Sequence, residues 1–319
     1  MEFLRKVFAI QFGPEVAATL VETHRGSTQN QYESAWKRFQ AWLPKGTVTV
    51  DNRLVLSYLN SLSSELAPRT ILVQRNALKL PLSAAFNVDT NQEVFSLLAR
   101  AQFRLKPPTR QLIPSWSLDS ALEALQTKGS SNLSMEELLM KTLFLVAVAS
   151  GNRASELAAI DRSNIVFRRN GVSLPVLEGF LFKNQSLAHS PSPISFPSLG
   201  RRNAPLCPVA SLRAYLDRTS SSSTLFAHPD TGTALNAGGV AFWLVKAISW
   251  LIPGSFPRAH DVRKLSLSLA YARGLPIKEI VEAGSWQSPS TFVSKYLNKV
   301  PRGTVDCVAG RRVARASFS

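Results

Sequence analysis

A capped apolar segment in the middle of the chain constrains its fold more than any other feature. Ser134 and Glu137 form a capping-box pattern, which marks the first turn of a helix, and an apolar run from Leu138 to Ala149 follows. Lys141 interrupts the run, which is too short to span a bilayer, since a transmembrane helix takes about 20 apolar residues. The pattern predicts a helix buried in a globular core, with Arg153 held rigidly at its C-terminal end.

The pattern on either side of this helix indicates two domains, as the chain length of 319 residues also does. Helical periodicity before residue 106 predicts an all-α unit, at 28–43, 51–63, 68–86 and 91–105. Short β patterns at 166–167, 180–182 and 194–196, with helices at 208–217 and 240–252, predict a second unit that contains a small antiparallel sheet.

The predicted fold class is therefore mainly α with a small antiparallel β-sheet. The predicted boundaries are a lead segment at 1–26 with a helix near 14–22, a helical domain at 27–105, a basic, proline-broken linker at 106–115, an α+β domain at 116–300 and a basic tail at 301–319.

The charge balance predicts a polyanionic partner. The chain has 37 Lys and Arg against 21 Asp and Glu, a net charge of +16, and its pI is near 10.4. An anionic membrane is the alternative to a nucleic acid. We expect no membrane association, because the sequence has no apolar stretch of 18 residues and Glu2, Arg5 and Lys6 interrupt any N-terminal signal pattern.

The cysteines and histidines argue against disulfides and metal. Cys207 and Cys307 fit neither a disulfide framework nor a zinc site, which favours a reducing intracellular compartment, the nucleus in a eukaryote. The four histidines are scattered and form no metal-binding motif. We expect no cofactor.

Two arginines are suited to stabilise a reacting phosphodiester. Attack on a phosphodiester builds negative charge on its non-bridging oxygens, and preorganised donors aimed at that charge are usually the largest catalytic contribution. Arginine stays charged at any working pH, and its planar fork matches phosphate oxygens. Arg153 and Arg263 are the candidates, and Glu156, three residues after Arg153 on one helix face, is expected to orient Arg153.

Four further residues supply the rest of a strand-cleavage reaction. Tyr296 is the candidate nucleophile, and because the free pKa of tyrosine is about 10 it needs a base, for which His260 is suited. Lys183 is the candidate acid for the departing 5′-hydroxyl, although a solvated hairpin lysine is the alternative. Trp286 either donates an N–H to phosphate, packs beside the site, or does both.

At these positions the sequence resembles the tyrosine recombinase (phage integrase) superfamily. Ser150-Gly151-Asn152-Arg153-Ala154-Ser155-Glu156-Leu157 is similar to the family's T-G-L-R-x-S-E-L-like motif, and His260 with Arg263 matches its H-x-x-R pair. Lys183, Trp286 and Tyr296 match the remaining catalytic positions. Asn152 replaces the usual apolar residue, and the spacing from Trp286 to Tyr296 is one longer than in many bacterial members. Trp286-Gln287-Ser288-Pro289 with Thr291-Phe292 looks most like recombinases of DIRS-type retrotransposons.

The resemblance implies a site-specific recombinase or integrase of a mobile element. Such enzymes cut and rejoin DNA through a 3′-phosphotyrosyl bond, here at Tyr296, without metal or ATP. It also implies a helical core-binding domain that clamps double-stranded DNA with the catalytic domain, one dimer per site and a homo-tetramer on paired sites. The alternatives are a type IB topoisomerase-like enzyme and a domesticated DNA-binding protein without catalysis.

Basic residues of the helical unit and linker are candidate DNA contacts. Contacts of this kind with phosphates position a protein without specifying sequence, and they make binding dependent on salt. A solvated helix face is the alternative for the first three, and the basic tail is interpreted as a DNA-contacting arm, a nuclear-import signal or neither. The candidates are Arg69, Arg75, Lys79, Arg104, Lys106 and Arg110.

Overall fold

The structure is a computed structural model that describes residues 2–107, 114–183, 185, 193–219, 223–284, 286 and 288–295. The chain divides into two compact units, Met1–Arg110 and Gln111–Ser319. It is mostly helical with one three-stranded antiparallel sheet, which confirms the predicted fold class. No helix within the described ranges has the length and apolarity that crossing a bilayer requires.

The first unit is all α. Its helices are α1 (Glu2–Phe12), α2 (Pro14–Val21), α3 (Gly26–Trp42), α4 (Asn52–Ser61), α5 (Pro68–Phe86) and α6 (Glu93–Leu105), with a short 3₁₀ turn at Leu62–Ser64. The apolar faces of α3 to α6 meet in one core around Phe39, Tyr58 and Leu78. Asp51 caps α4 by accepting from the Leu54 amide at 2.8 Å, and Asn87 ends α5 in the left-handed conformation.

The first residues are more helical than the sequence predicts. The expected lead segment at 1–26 carries two helices instead of one near 14–22. Leu4 and Phe8 of α1 form a small cluster with Ala17 and Val21 of α2. Phe3 stacks on Trp36 of α3 with ring centroids 4.3 Å apart, so these helices pack on the body of the first unit.

The second unit surrounds the predicted central helix. Its elements are α7 (Leu118–Gln126), α8 (Met135–Ser150), α9 (Ala154–Ala158), β1 (Val166–Arg168), β2 (Gly171–Leu174), β3 (Ile194–Pro197), α10 (Pro208–Arg218), α11 (Ala237–Leu251), α12 (Ala259–Ala272), α13 (Ile277–Ala283) and α14 (Pro289–Lys295), with 3₁₀ turns at Ser130–Asn132 and Arg201–Leu206. Helix α8 packs against α10, α11, α12 and β3. It is therefore the core helix that the sequence predicts.

The ends of α8 follow the sequence pattern closely. Ser134 and Glu137 make the reciprocal capping-box hydrogen bonds at its start. Gly151 ends it with a φ of 62°, a left-handed conformation that glycine adopts without strain. Lys141 is fully buried, its Nζ donates to the carbonyl of Lys128, and burial lowers its pKa. The core therefore fixes where the chain leaves α8 and where Arg153 begins α9.

The sheet has the predicted antiparallel form, but one strand was placed wrongly. Its order is β1-β2-β3, with Val166 opposite Ser173 and Val172 opposite Phe196. The middle strand is Gly171–Leu174, whereas the predicted strand at 180–182 lies in a turn. Gly179 has a φ of 78°, and the Phe180 amide donates to the carbonyl of Leu177 at 3.1 Å, so the chain bends there instead of extending.

Candidate active site

Arg153 and Glu156 form a paired group at the start of α9. The Arg153 amide donates to Glu156 Oε2 at 2.8 Å, and Arg153 Nη1 donates to Glu156 Oε1 at 2.6 Å. The Glu156 carboxylate is completely buried, whereas the Arg153 side chain keeps 17% of its surface exposed. Glu156 thus holds Arg153 in one orientation, as the helical spacing predicts, while part of the Arg153 side chain stays accessible.

Arg263 lies deeper than Arg153 and joins two loops. Only 2% of its surface is exposed. Nη1 donates to the carbonyl of Gly151 and Nη2 donates to the carbonyl of Gly284. Nη1 also lies 4.0 Å from Glu156 Oε2, so the buried Glu156 carboxylate forms ion pairs with both Arg153 and Arg263. This fork therefore fixes the end of α8 relative to the end of α13.

Trp286 covers the guanidinium of Arg263. The ring centroid of Trp286 lies 4.6 Å from Arg263 Cζ, which is a cation–π distance. The indole is buried and contacts Phe292 of α14 with centroids 5.5 Å apart, and the Trp286 amide donates to the carbonyl of Val281. Trp286 therefore packs beside the site, and its proposed N–H contact with phosphate stays a prediction.

Gly284 is a residue that sequence reasoning missed. A Cβ built on Gly284 would lie 2.3 Å from Trp286 Cε3, closer than real atoms approach. The Gly284 carbonyl accepts a hydrogen bond from Arg263 Nη2. The position therefore needs a carbonyl that faces Arg263 and a residue without a Cβ. The Gly284-Ser285 dipeptide before Trp286 was the available signal in the sequence. The close approach of the Trp286 ring to Gly284 could not be predicted from it, because that approach depends on how α13 ends.

Substituting Gly284 with Ala is expected to destabilise the second unit by about 1–3 kcal/mol, the usual cost of overpacking a core. The matched control is Gly129→Ala, since Gly129 has a φ of −64° and no heavy atom near its added Cβ. Urea unfolding followed by tryptophan fluorescence measures both free energies of unfolding. Equal midpoints for the two variants would contradict the contact.

His260 lies in the first turn of α12 among cations. Its pKa is lowered to about 4, first by burial of the ring and then by the positive charges of Arg263, Lys264, Arg153 and Lys183. The residue as a whole is exposed, so the ring is only partly shielded from solvent. Burial and the neighbouring positive charges thus both lower the pKa of His260. The imidazole is therefore neutral at neutral pH, and a neutral imidazole can accept a proton.

The neutral state of His260 is testable in the free protein. We expect its imidazole to stay neutral as pH falls to about 5 and to titrate near pH 4, below the usual 6.5. Because the unfolded chain binds this proton more readily, protonation of His260 disfavours the fold as pH falls from about 6.5 to 4. A bound phosphate opposes the cationic field and is expected to raise the pKa.

NMR titration of ¹³C-labelled histidine measures this pKa with and without duplex DNA, and the His260→Asn variant identifies the resonance. A midpoint near 6.5 in the free protein, or a pKa that DNA lowers further, would exclude the proposed environment.

Lys183 lies in a turn, directly after the residues of the predicted strand at 180–182, which is not formed. The turn is closed by Gln185, whose side chain accepts from the Phe182 amide at 3.1 Å and whose amide donates to the Phe182 carbonyl at 2.9 Å. Phe182 is buried and packs edge-on against Phe180, with centroids 5.5 Å apart. Lys183 is exposed beside this anchor, and its charge is among those that reach His260.

Asp261 and Lys264 are two further residues that sequence reasoning did not assign. Buried Asp261 accepts from the Arg258 amide at 2.9 Å and so fixes the first turn of α12, which carries His260. Lys264 adds to the field on His260 and lies 3.9 Å from Asp261. Both adjoin the H-x-x-R pair, which was the available signal for them.

Tyr296 lies outside the described residues. Helix α14 ends at Lys295, directly before it, and Phe292 of this helix is buried with Leu267, Ile280 and Trp286. Because Phe292 of α14 contacts Trp286, which lies over Arg263, α14 is in the same part of the unit as the arginine pair.

The candidate DNA contacts are described on two helices of the first unit. Arg69 and Lys79 are exposed and Arg75 is half-buried on α5, while Arg104 and Lys106 are exposed in and just after the last turn of α6. Arg75 and Lys79 lie one turn apart and share a face. Arg110 lies outside the described residues.

No protein-family model matches the chain, and no curated protein matches it. Solved structures do match. A Tn1549 transposon integrase in complex with transposon right end DNA aligns with a TM-score of 0.63 at 14% identity, over 96% of this chain and 99% of that chain. A lambda integrase dimer bound to a COC′ core site aligns with a TM-score of 0.60 at 18% identity, over 88% and 91%.

A lambda integrase tetramer bound to a Holliday junction aligns with a TM-score of 0.54 at 17% identity, over 84% of this chain and 72% of that chain. At these identities the likeness concerns the backbone and not the side chains. The chain has the fold of the tyrosine recombinases and integrases.

Proposed function

We propose that this protein is a site-specific DNA recombinase that cleaves and rejoins strands through a 3′-phosphotyrosyl intermediate at Tyr296. One observation carries the proposal: in a chain with the recombinase fold, the buried Glu156 carboxylate lies beside both Arg153 and Arg263, and burial and the charges of these arginines and of Lys183 lower the pKa of His260. These residues lie up to 110 positions apart in sequence. A cationic cluster of this kind with a neutral imidazole suits a reacting phosphodiester.

The first step in this mechanism is attack on the scissile phosphate. The Tyr296 oxygen bonds to phosphorus, its proton passes to neutral His260, and the bond from phosphorus to the 5′-oxygen breaks. Arg153, oriented by Glu156, binds a non-bridging oxygen. Arg263 is proposed to stabilise the negative charge that develops on the phosphate oxygens. Its guanidinium is held in place by two carbonyls and by the ring of Trp286.

The departing 5′-oxygen takes a proton in the same step, and exposed Lys183 is the proposed donor. The second half of the reaction reverses these transfers. A 5′-hydroxyl attacks the phosphotyrosine, which retains the energy of the phosphodiester, its proton passes to Lys183, and the Tyr296 oxygen leaves and takes back the proton from His260. Neither half of the reaction consumes ATP.

The proposed partners are two duplex DNA sites brought together by four copies of the chain. The lambda integrase tetramer on a Holliday junction supports this assembly by analogy. The first unit is proposed to bind DNA through Arg69, Arg75 and Lys79. The residues around Trp286 support assignment to a mobile element of the DIRS type, with action in the nucleus of a eukaryotic host.

The test is trapping of the intermediate on a nicked suicide duplex that carries the flanking repeats of the element. We expect a DNA–protein adduct without metal or ATP, visible on a denaturing gel and lost after protease treatment. Mass spectrometry of the adduct is expected to find the nucleotide on the peptide that contains Tyr296. Salt-sensitive binding without any adduct across the repeat sequences would favour a DNA-binding protein without catalysis, and relaxation of supercoiled plasmid that lacks these sites would favour a topoisomerase.

A further inference from the structure

The second unit contains a polar cavity beside the arginine pair. It has a volume of about 250 Å³ and lies between the end of α8, strand β3 and helix α13. Pockets for drug-sized ligands begin at about 300 Å³, so this cavity suits a smaller compound. Asn152, which directly precedes Arg153, is one of its lining residues.

Asn152 is the residue that indicates a ligand. Only 7% of its surface is exposed. Its backbone amide donates to Ser150 Oγ at 3.4 Å, but its side-chain amide has no hydrogen-bond partner among the residues that the structure describes. The polar atoms of this amide are not fully enclosed, and the space beside them is the cavity.

A side-chain amide that is buried without a partner is unfavourable, because it has lost its contact with bulk water and gained no hydrogen bond. An apolar residue, the usual type at this position of the motif, would carry no such cost. The amide of Asn152 therefore favours a ligand that hydrogen-bonds inside the cavity.

Two carboxylates lie at the mouth of the cavity. Glu279 and Glu282 are three residues apart on α13, so they share a helix face, and both line the cavity. Both are exposed, and within the described ranges neither forms an ion pair, with Lys278 of the same helix or with another residue. With Lys278 counted, α13 still has an excess of negative charge in a chain whose net charge is +16. This local charge favours a cationic ligand.

The cation that fits these groups is organic. A divalent metal ion takes six or more oxygen ligands within about 2.6 Å, and the described part of the chain has no cluster of three metal-ligating side chains. Ala149, Pro193 and Ala283 instead give the cavity apolar wall surface. Carboxylates at the mouth, an amide oxygen at depth and apolar walls match an alkyl chain with an ammonium group at each end.

The cavity also adjoins the contacts that hold Arg263. The guanidinium of Arg263 donates to the carbonyls of Gly151 and Gly284, which are the sequence neighbours of Asn152 and Ala283. A ligand bound to both walls therefore stabilises the same junction of α8 with α13 that the arginine joins.

We propose that this cavity binds a linear aliphatic diamine. One ammonium group donates to the side-chain oxygen of Asn152, and the other pairs with Glu279 and Glu282. Because the two carboxylates are exposed, their ion pairs contribute little, and we expect a dissociation constant of about 0.1–1 mM that rises with salt. The proposal does not depend on strand cleavage at Tyr296.

The test is isothermal titration calorimetry of the full-length protein at low salt without DNA. The probe is linear diaminopentane, and the matched compound is linear pentanediol, which has the same chain length and no charge. We expect saturable binding of one diamine per chain and no measurable binding of the diol. Equal binding of both compounds, or no saturable binding of the diamine, would overturn the proposal.

Three variants locate the binding site. Asn152→Leu keeps the approximate shape of the side chain and removes the buried acceptor, so it is expected to weaken diamine binding about tenfold. Glu279→Gln removes one exposed charge and is expected to weaken binding about threefold. Glu123→Gln is the control, because Glu123 is an exposed carboxylate of α7 outside the cavity, and its affinity is expected to equal that of wild type. Wild-type affinity in all three variants would place the diamine elsewhere and reject the cavity.

Thermal unfolding gives a second readout. A ligand that binds only the folded state raises the melting temperature, so saturating diamine is expected to raise that of wild type and of Glu123→Gln, and to raise that of Asn152→Leu less. The melting temperature of Asn152→Leu without ligand shows whether this variant is folded, and Glu279→Gln tests the cavity without any change in the core.

The outcomes also separate this proposal from the proposed function. Absence of a DNA adduct in wild type, with diamine binding intact, would reject only strand cleavage. Adduct formation without diamine binding would reject only the cavity.

Discussion

Replacing Tyr296 with Phe is expected to abolish covalent attachment of DNA and to leave DNA affinity within about twofold of wild type, because the change removes one atom that acts only in the transition state. The ring is kept, and so are the cations that are proposed to bind phosphate. The adduct is measured on a denaturing gel with the suicide duplex, and affinity is measured by fluorescence anisotropy at fixed salt, since phosphate contacts make it salt-dependent.

Tyr271 provides the matched control for this experiment. It is the tyrosine on α12, partly exposed, and its ring meets Phe292 of α14 edge-on with centroids 5.8 Å apart. Tyr271→Phe is expected to retain the adduct at the wild-type rate. An adduct that survives in Tyr296→Phe but disappears in Tyr271→Phe would show that the nucleophile was assigned to the wrong tyrosine.

Local patterns predicted the parts of the fold that local forces determine. The capping box at Ser134 and Glu137 appears as predicted, and α5 begins and ends at the predicted residues. The relation between Arg153 and Glu156 was also predictable, because it requires only three-residue helical spacing and a buried carboxylate. Each of these features is determined within a few positions of sequence.

Features determined by distant contacts were predicted less well. The strand expected at 180–182 is apolar, but Gly179 turns the chain, and Gly171–Leu174 pairs with β3 instead. A three-residue apolar pattern does not distinguish a strand from a turn anchored by a buried ring. The register of β2 against β3 depends on partners 20 to 26 positions away.

The depth of Arg263 is another feature that sequence does not contain. The H-x-x-R spacing predicts that His260 and Arg263 share a face, yet the arginine is buried and bound by two carbonyls while the histidine keeps an exposed surface. The difference arises because Trp286, from beyond α13, closes over the guanidinium. Only the packing of α12 against α13 creates that arrangement.

Replacing Glu156 with Gln is expected to cause the largest loss of stability among the substitutions considered. The carboxylate is completely buried between Arg153 and Arg263, and removing one partner of a buried ion pair costs about 3–5 kcal/mol. Gln keeps the shape and an acceptor oxygen, so the cost arises from two cations without an internal counter-charge. For a unit of this size, each kcal/mol lowers the melting temperature by about 2–4 °C.

The control for this substitution is Glu136→Gln in the same unit. Glu136 pairs with Lys246 at the surface, where both side chains are more than 40% exposed, and such pairs contribute about 0–1 kcal/mol. Calorimetry of both variants compares a buried carboxylate with an exposed one. DNA adds a second readout: its phosphate supplies the missing negative charge, so bound duplex is expected to raise the melting temperature of Glu156→Gln more than that of wild type. Equal melting temperatures for the two variants would mean that Glu156 does not hold the arginine pair.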